Sequence, residues 1–322
     1  MKRIGVLTSG GDAPGMNACI RAVVRAGIAL GVETMGVEKG YSGLCDGEFV
    51  PMNSRSVGGI ARWGGTVLQT ARSQRFMTPE GFQRALDNLR TAGIEGLVVI
   101  GGDGSLRGAR ELHRAGFPVI GVPGSIDNDI CGTDMAIGAD TATNTILDAV
   151  DKIKDTASAH ARAFVIEVMG RRSGYLALAA GIAGGAEMII VPEHQTSMDE
   201  ILAEMKEARE REKPHFIVVV AEGAMPNATQ IRNAVMAAGE KGFEARLTVL
   251  GHVQRGGSPS AADRLLATNL GVAAVQSLLA GESGVMMGQK GTDIVPVPLD
   301  EVLEMTRPAD EHLVRLEEII RL

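Results

Sequence analysis

Gly96-Leu-Val-Val-Ile-Gly-Gly-Asp-Gly-Ser105 and, further on, Pro123-Gly-Ser-Ile-Asp-Asn-Asp129 decide how this chain folds. Gly96–Ile100 is a short apolar run of buried-strand type, and Ser105 begins a polar-faced helical segment. A glycine-rich turn that leaves a strand and opens a helix presents bare backbone N–H groups to a phosphate, and the helix dipole adds partial positive charge. In the second cluster Asp127 and Asp129 stand two residues apart, so in an extended backbone their carboxylates point the same way. Taken alone, that pair beside Asn128 reads as a solvated turn at roughly 3 to 1, because Asp and Asn populate turns. The neighbouring Gly-Asp-Gly reverses that judgement. Backbone suited to a polyanion, one carboxylate beside it and two more nearby are the ingredients of magnesium-dependent phosphoryl transfer.

Outward from this stretch the chain alternates strand and helix. Ile4–Thr8 reads as a first strand, followed by Ser9-Gly-Gly-Asp-Ala-Pro-Gly-Met-Asn17 and a helix with Met16, Ile20, Val23, Val24 and Ile28 on one face. Gly10-Gly11-Asp12 is echoed by Gly101-Gly102-Asp103, which suggests two adjacent strand ends shaped to approach one ligand. Val32–Val37, Leu97–Ile100 and Val119–Val122 continue the strand series. A helix from about 140 to 157 places Ile146, Leu147, Val150 and Ile153 inward. Strands follow at 163–168, 187–191, 216–221 and 246–250. Ser197-x-x-Glu200 is a capping box opening a helix that carries Leu202 and Met205. From Asp310, Leu313, Leu316 and Ile320 recur at helical spacing. Such alternation predicts an α/β fold with largely parallel sheets covered by helices. A length of 322 residues suits two domains, and without a low-complexity linker these are expected to share crossover segments.

Composition narrows the function classes. The net charge of −7 and the lack of a basic run argue against nucleic acid, so an anionic ligand must be met by local arginines. Cys19, Cys45 and Cys131 are scattered without a C-x-x-C pair, which fits a reducing compartment and no structural zinc. The opening Met-Lys-Arg-Ile-Gly-Val-Leu has too short an apolar run for a signal peptide. Residues 176–192 are apolar but broken by glycines and Glu187, so no membrane span is expected. The reading is a cytoplasmic protein. A P-loop is excluded by the absence of G-x-x-x-x-G-K-[ST], and a nicotinamide-binding fold is weakened because no G-x-G-x-x-G follows the first strand. There is also no protein-kinase catalytic loop.

Five motifs in order carry a family resemblance. They are Gly10-Gly-Asp-Ala-Pro-Gly-Met-Asn17, Gly101-Gly-Asp-Gly-Ser105, Pro123-Gly-Ser-Ile-Asp-Asn-Asp129, Glu167-Val-Met-Gly-Arg171 and Gly251-His-Val-Gln-Arg-Gly-Gly-Ser-Pro259. Together they resemble the bacterial ATP-dependent 6-phosphofructokinase family over essentially the whole chain, weakening in about the last forty residues. The resemblance implies two Rossmann-like domains: 1–138 plus 255–307 for MgATP, and 139–254 plus 308–322 for the sugar phosphate. It implies transfer of the γ-phosphoryl of MgATP to the 1-hydroxyl of fructose 6-phosphate, with Asp127 as base. Asp103 would hold the magnesium, with Asp129 close enough to assist. Gly11 and the backbone of Gly102, Asp103, Gly104 and Ser105 would cradle the ATP phosphates, with Tyr41 near them. Arg72 and Arg171 would offset charge on the transferred group.

For the sugar phosphate the same resemblance implies Ser125, Asp127, Met169, Gly170, Arg171 and Glu222, with Arg162, Arg246, His252 and Arg255 on the 6-phosphate. An arginine fork suits a phosphate because it donates two parallel hydrogen bonds. Taken singly, His252 is at about even odds a core histidine bonded to a backbone carbonyl; beside Gln254 and Arg255 in a glycine-rich turn it reads as a ligand. In the family Arg162 and Arg246 reach across from a neighbouring subunit, which implies an oligomer, and the expected assembly is a homotetramer. Arg21 and Arg25, spaced i,i+4, with Gly59, Lys154, Glu187, Arg211, Lys213 and His215 would form a regulatory site. That site takes ADP or GDP as activator and phosphoenolpyruvate as inhibitor. Surface arginines at such spacing also form plain solvated helix faces.

Several positions depart from the family pattern. Lysine replaces arginine at 154 and loses the bidentate fork. Ser125 replaces threonine and keeps the hydroxyl. Ser73-Gln74-Arg75 follows Arg72 in place of Cys-Pro-Glu, which adds a cation beside the nucleotide site, and Arg172-Ser-Gly-Tyr175 also differs. Donor choice turns on two glycines. Pyrophosphate-using relatives carry an acidic residue where Gly104 stands and a lysine where Gly124 stands, so this chain is expected to use ATP. The other readings are a pyrophosphate-dependent sugar-phosphate kinase, a non-catalytic nucleotide-sensing subunit and, third, a nicotinamide oxidoreductase. If Asp127 is the base, Asp127→Ser loses about 10²–10⁴ in kcat with smaller changes in KM; near-normal turnover in steady-state assays removes Asp127 from that role.

Overall fold

A computed structural model of the chain describes residues 1–160, 162–238, 244–305, 307 and 310–320, the side chains of 158–160 excepted. Residues 161, 239–243, 308, 309, 321 and 322 of the expected sugar-phosphate domain lie outside the described residues, as does 306 of the expected MgATP domain. In chain order the regular elements begin β1 (Arg3–Ser9), α1 (Met16–Ala29), β2 (Glu33–Val37), α2 (Gly40–Asp46) and β3 (Phe49–Met52). They continue as α3 (Pro79–Thr91), β4 (Gly96–Gly101), α4 (Asp103–Arg114) and β5 (Val119–Pro123). Next come α5 (Ala139–His160), β6 (Arg162–Val168), α6 (Tyr175–Ala183), β7 (Met188–Ile190), α7 (Met198–Glu210) and β8 (Phe216–Ala221). The chain closes with α8 (Ala228–Ala237), β9 (Glu244–Val249), α9 (Ala261–Leu279), β10 (Val285–Lys290), β11 (Asp293–Pro298), α10 (Leu299–Glu304) and α11 (Glu311–Ile320).

Two compact units contain these elements. The first comprises Met1–Ile126, Ile130–Thr141 and Arg255–Arg307; the second comprises Asp127–Asp129, Ala142–Gln254 and Pro308–Leu322. Among the described residues the sheet of the first unit has seven strands in the order β11-β10-β5-β4-β1-β2-β3. Its interior pairings are parallel, while β2–β3 and β10–β11 are antiparallel. The sheet is therefore largely parallel, as the alternation predicts, with an antiparallel strand at each edge that the alternation does not reveal.

Successive side chains of a strand face opposite ways. Leu7, Leu97, Val99 and Val119 join the buried cluster containing Leu44, Leu89, Leu106 and Leu112, beneath α2, α3 and α4. Val6, Val98 and Ile120, also fully buried, face the other way, where α1 and α9 pack on the strands and on each other. Those two helices approach closely at Gly271, where an added Cβ would lie 2.8 Å from that of Ala22. On α1, Met16, Ile20, Val23 and Val24 are buried as their spacing predicts. Ile28 is 47% exposed, because it shares the outer flank of α1 with Arg21 and Arg25 while Gly27 of the same turn packs against β2.

The second unit holds a four-stranded parallel sheet in the order β7-β8-β6-β9. Phe216–Ala221 is buried throughout, which explains its continuous apolar run. Ile146 and Val150 of α5 are buried and Leu147 and Ile153 half-buried. Ser197 caps α7 through its Oγ, which accepts from the Glu200 N–H at 3.2 Å. The capping box with both reciprocal bonds is on α8, between Asn227 and Gln230. Leu313 and Leu316 of α11 are half-buried, whereas Ile320 is exposed. No helix among the described residues is long and apolar enough to cross a membrane.

Within the first unit Asp263 ties the start of α9 to the chain before it. Its buried carboxylate accepts from the Gly138 N–H at 2.8 Å, the Thr141 N–H at 2.8 Å and Thr141 Oγ1 at 2.5 Å. Burial pushes its pKa up, partly opposed by those hydrogen bonds. The folded protein therefore holds this proton more tightly than the unfolded chain does. Its contribution to stability is full below the ordinary carboxyl pKa and is lost as pH rises through the folded value. Asp263→Ala is expected to cost about 3 kcal/mol, since it orphans several buried donors; an unchanged urea midpoint would contradict this. In Asp263→Asn the corresponding pH slope should vanish.

Candidate active site

Parallel strands place all their carboxyl ends along one edge of a sheet, and ligands gather there where the strand order reverses. In the first unit that reversal lies at β1, flanked by β4 on one side and β2 on the other. Ser9 pairs with Gly101 and Gly101 with Pro123, so both Gly-Gly-Asp turns leave the sheet side by side. Glycine is required at 101, since an added Cβ would lie 2.4 Å from the Ser9 carbonyl oxygen and 2.5 Å from Ser105 Oγ. Ser105 Oγ is itself buried and has no hydrogen-bond partner among the described residues. A buried hydroxyl of this kind, at the first turn of α4, fits an incoming phosphate. At Gly104 an added Cβ meets nothing within 4 Å, so the space beside this turn is open.

Asp103 stands in the first turn of α4, half-exposed and paired with Arg107, whose Nε donates to Oδ2 at 3.0 Å and Nη2 to Oδ1 at 3.3 Å. The i,i+4 spacing of Asp103 and Arg107 is the sequence signal for this pair. No group of three or more His, Cys, Asp and Glu among the described residues would hold a metal alone. Magnesium at a nucleotide needs only one or two carboxylates, with phosphates and water as the other ligands. Asp103 fits that demand.

Tyr41 is buried rather than lying open to the turn. It stacks on Phe76 at 4.3 Å between ring centroids, and its hydroxyl donates to the Ser105 carbonyl at 2.5 Å. Burial raises its pKa. Tyr41 thus holds the turn from behind. Arg255 also meets this region: its Nη1 donates to the Asp12 carbonyl at 3.1 Å and would stand 2.7 Å from a Cβ at Gly11. Arg72 is exposed. Arg75 is not a loose extra cation, because it forms a 2.5 Å ion pair with Asp46 and holds that carboxyl below its usual range. Ser125 donates its N–H to the Ile137 carbonyl at 3.1 Å.

The second unit gathers its own set at the carboxyl edge of its sheet. Asp127 is 2% exposed, and Arg171 Nε lies 3.4 Å from its Oδ2. Asp129 is half-buried. Glu222, just beyond β8, accepts the Arg171 N–H at 2.9 Å. Met169 donates its N–H to Gln254 Oε1 at 3.1 Å, and Gln254, fully buried, bonds the Gly251 carbonyl in turn. Gly170 holds φ at +140°, where a Cβ would strike the Ser173 carbonyl oxygen at 2.3 Å. Glu167 is half-buried, and its carboxyl pKa is raised by burial and then by Glu222. His252 is exposed.

On neighbouring strands, Arg162 and Arg246 share Glu244. Arg162 Nε donates to Glu244 Oε2 at 2.9 Å, and Arg246 pairs with the other oxygen. The signal for Glu244 is its place two residues before Arg246, on the same strand face.

The effector candidates fall in both units. Arg21, Arg25 and Gly59 belong to the first, with Arg25 near the Ser54 carbonyl at 3.4 Å. In the second, Glu187 draws Lys213 to 3.9 Å and His215 to 3.7 Å and accepts the Ile217 N–H at 2.8 Å. Arg211 pairs with Glu207 at 3.2 Å. Lys154 donates to the carbonyls of Gly184 at 2.8 Å and Gly185 at 3.2 Å, past the end of α6.

Comparison with known proteins agrees with this geometry. The family model described as Phosphofructokinase matches residues 3–278. An "ATP-dependent 6-phosphofructokinase" of Shouchella clausii is 54% identical over 318 residues, covering 99% of this chain and 99% of the relative. "ATP-dependent 6-phosphofructokinase 1" of Thermus thermophilus is 53% identical over 325 residues, covering both chains in full. A solved structure of phosphofructokinase from Saccharomyces cerevisiae has a TM-score of 0.89 at 39% identity. It covers 100% of this chain and 48% of the yeast chain, so this chain spans under half of that one. The chain belongs to the phosphofructokinase family. Within that family it is an enzyme, a kinase.

The Tyr41 contact yields a prediction. Tyr41→Phe removes one of the two donors to the Ser105 carbonyl, the other being the helical Ala109 N–H, and is expected to cost about 1 kcal/mol. A Tm and a MgATP KM both equal to those of the unaltered enzyme would contradict the positioning role.

Proposed function

We propose that this chain transfers the γ-phosphoryl of ATP to the 1-hydroxyl of fructose 6-phosphate, giving fructose 1,6-bisphosphate and ADP, the committed step of glycolysis. The observation that carries the reading is the buried Asp127 carboxylate with the Arg171 guanidinium 3.4 Å away. Asp127 accepts the proton of the 1-hydroxyl as its oxygen attacks the γ-phosphorus, and the bond to the β-phosphate oxygen breaks. Arg171 and Arg72 offset the charge that spreads over the transferred group, where positioning and electrostatics supply most of the rate. Asp103, assisted by Asp129, would hold a magnesium, which supplies neutralisation of the phosphate charge. The turns at Gly11 and Gly102–Ser105, backed by Tyr41, bind the ATP phosphates.

The domains assigned to these tasks are 1–138 plus 255–307 for MgATP and 139–254 plus 308–322 for the sugar. Ser125, Met169, Gly170 and Glu222 hold the sugar, and His252 and Arg255 take its 6-phosphate together with Arg162 and Arg246 of a neighbouring copy. This arrangement calls for a homotetramer, and we place the enzyme in the cytoplasm. ADP or GDP activates and phosphoenolpyruvate inhibits through Arg21, Arg25, Gly59, Lys154, Glu187, Arg211, Lys213 and His215. The engagement of Lys154 with the Gly184 and Gly185 carbonyls leaves the arginines as the main phosphate donors there.

The open space at Gly104 supports ATP as donor, since a carboxylate there would crowd and repel a nucleotide phosphate. Fructose 1,6-bisphosphate formation is measured with magnesium and either ATP or pyrophosphate. Turnover with ATP alone is expected, and Gly104→Asp should lower kcat/KM for ATP by about 10² or more. Turnover with pyrophosphate alone overturns the donor assignment; silence with both donors overturns the activity.

A further inference from the structure

Past β6 the chain turns through Gly170 and Arg171. Arg171 holds φ at +53°, a left-handed conformation uncommon for a residue with a side chain. One contact holds it, and a second close approach is possible only because residue 223 has no side chain. The Arg171 N–H donates to Glu222 Oε1 at 2.9 Å. On its other side the Arg171 carbonyl oxygen lies so near Gly223 that an added Cβ would stand 1.9 Å from it and 3.1 Å from the carbonyl carbon. That obstacle is backbone, which cannot swing aside as the tip of a long side chain can. Gly223 itself is outside the left-handed region, so its own backbone would accept alanine. The lack of a side chain at 223 therefore serves Arg171.

The grip is anchored to the sheet. Glu222 donates its N–H to the Val168 carbonyl at 2.8 Å, which joins the ends of β8 and β6, and Ser173 closes the turn on the Gly170 carbonyl at 2.8 Å. The Arg171 side chain is 61% exposed, so little packing along its length aims it. Its backbone sets where the guanidinium starts, and from there Nε reaches Asp127.

We propose that Gly223 is a positioning residue for phosphoryl transfer: its bare Cα admits the Arg171 carbonyl, fixes the left-handed backbone and so aims the guanidinium at Asp127. This rests on Asp127 and Arg171 acting as described under the proposed function. A Cβ at 223 displaces the 171–172 peptide, and misplacement of about 1 Å at a reacting centre costs about 10²-fold in rate. Strained backbone of this kind persists only where its surroundings over-determine it, and Glu222 and Gly223 supply that constraint.

Crystal structures of the unaltered enzyme and of Gly223→Ala test the geometry without reference to turnover. In the variant, Arg171 φ is expected to leave the left-handed region and Nε to move beyond ion-pair distance of Asp127; an unchanged Arg171 overturns the proposal. Kinetics form the second arm, with circular dichroism and melting curves confirming the fold. Gly223→Ala should lower kcat about 10²-fold, but less than about twofold in an Arg171→Ala background, because residues acting through one another are not additive. An equal fall in both backgrounds, or none in the first, overturns it. Should Gly223→Ala not fold, the double variant Arg171→Gly/Gly223→Ala is expected to recover the fold by circular dichroism, because glycine at 171 lets the displaced peptide take another conformation; failure to recover it overturns the proposal. If the unaltered enzyme does not turn over ATP and fructose 6-phosphate, the proposed function fails, while the crystallographic arm still decides the role of Gly223.

Discussion

The parallel pairing of β1 with β4, which sets Ser9 opposite Gly101, is the constraint on which the first unit depends. It brings two Gly-Gly-Asp turns to one edge of the sheet at the place where the strand order reverses. Each turn must then pass close to its neighbour, and only glycine at 101 leaves room for the Ser9 carbonyl and the Ser105 hydroxyl. The buried hydrogen bond from Tyr41 to the Ser105 carbonyl and the stack on Phe76 brace the second turn from the interior. The close approach of the two turns at one sheet edge is thus a consequence of strand register, with core packing behind it.

Charge in this protein is arranged locally, and its net sign says little about its ligand. In a chain of net charge −7 several arginines are paired with carboxylates that fix their direction. Arg171 lies against Asp127, Arg107 against Asp103, and Arg162 and Arg246 share Glu244. The exposed pairs among them, such as Arg107 with Asp103, contribute little to stability. Their use is to hold a long, rotamer-rich side chain near one geometry before a ligand arrives, which reduces the ordering cost of binding. Arg75 is different, since its pairing with Asp46 belongs to the packing of the segment before α3.

Much of the fold and part of the site were legible in the sequence. The buried strands announced themselves as apolar runs, because a sheet covered on both faces leaves no polar alternation. That the two Gly-Gly-Asp turns lie side by side was legible in the echo of one motif by the other, because a crowded strand end such as Gly101 leaves no room for a side chain. The edge strands β3 and β11 were not, since their antiparallel direction depends on hairpin closure rather than on residue pattern. Ile28 fitted the helical stripe and is exposed all the same, because it falls on the flank of α1 that carries Arg21 and Arg25.

By itself the sequence determined the α/β class, most of the strands and the five motifs, since these rest on period, turn chemistry and local spacing; the strands β3, β10 and β11 it did not show. Tertiary structure alone decided what each polar group touches. Tyr41 meets Ser105 rather than the open edge, Asp263 gathers Gly138 and Thr141, and Gly223 makes way for Arg171. These contacts join residues far apart in the chain, so no window of sequence contains both partners. They are fixed only when strand register and helix packing place the backbones within a hydrogen bond of one another.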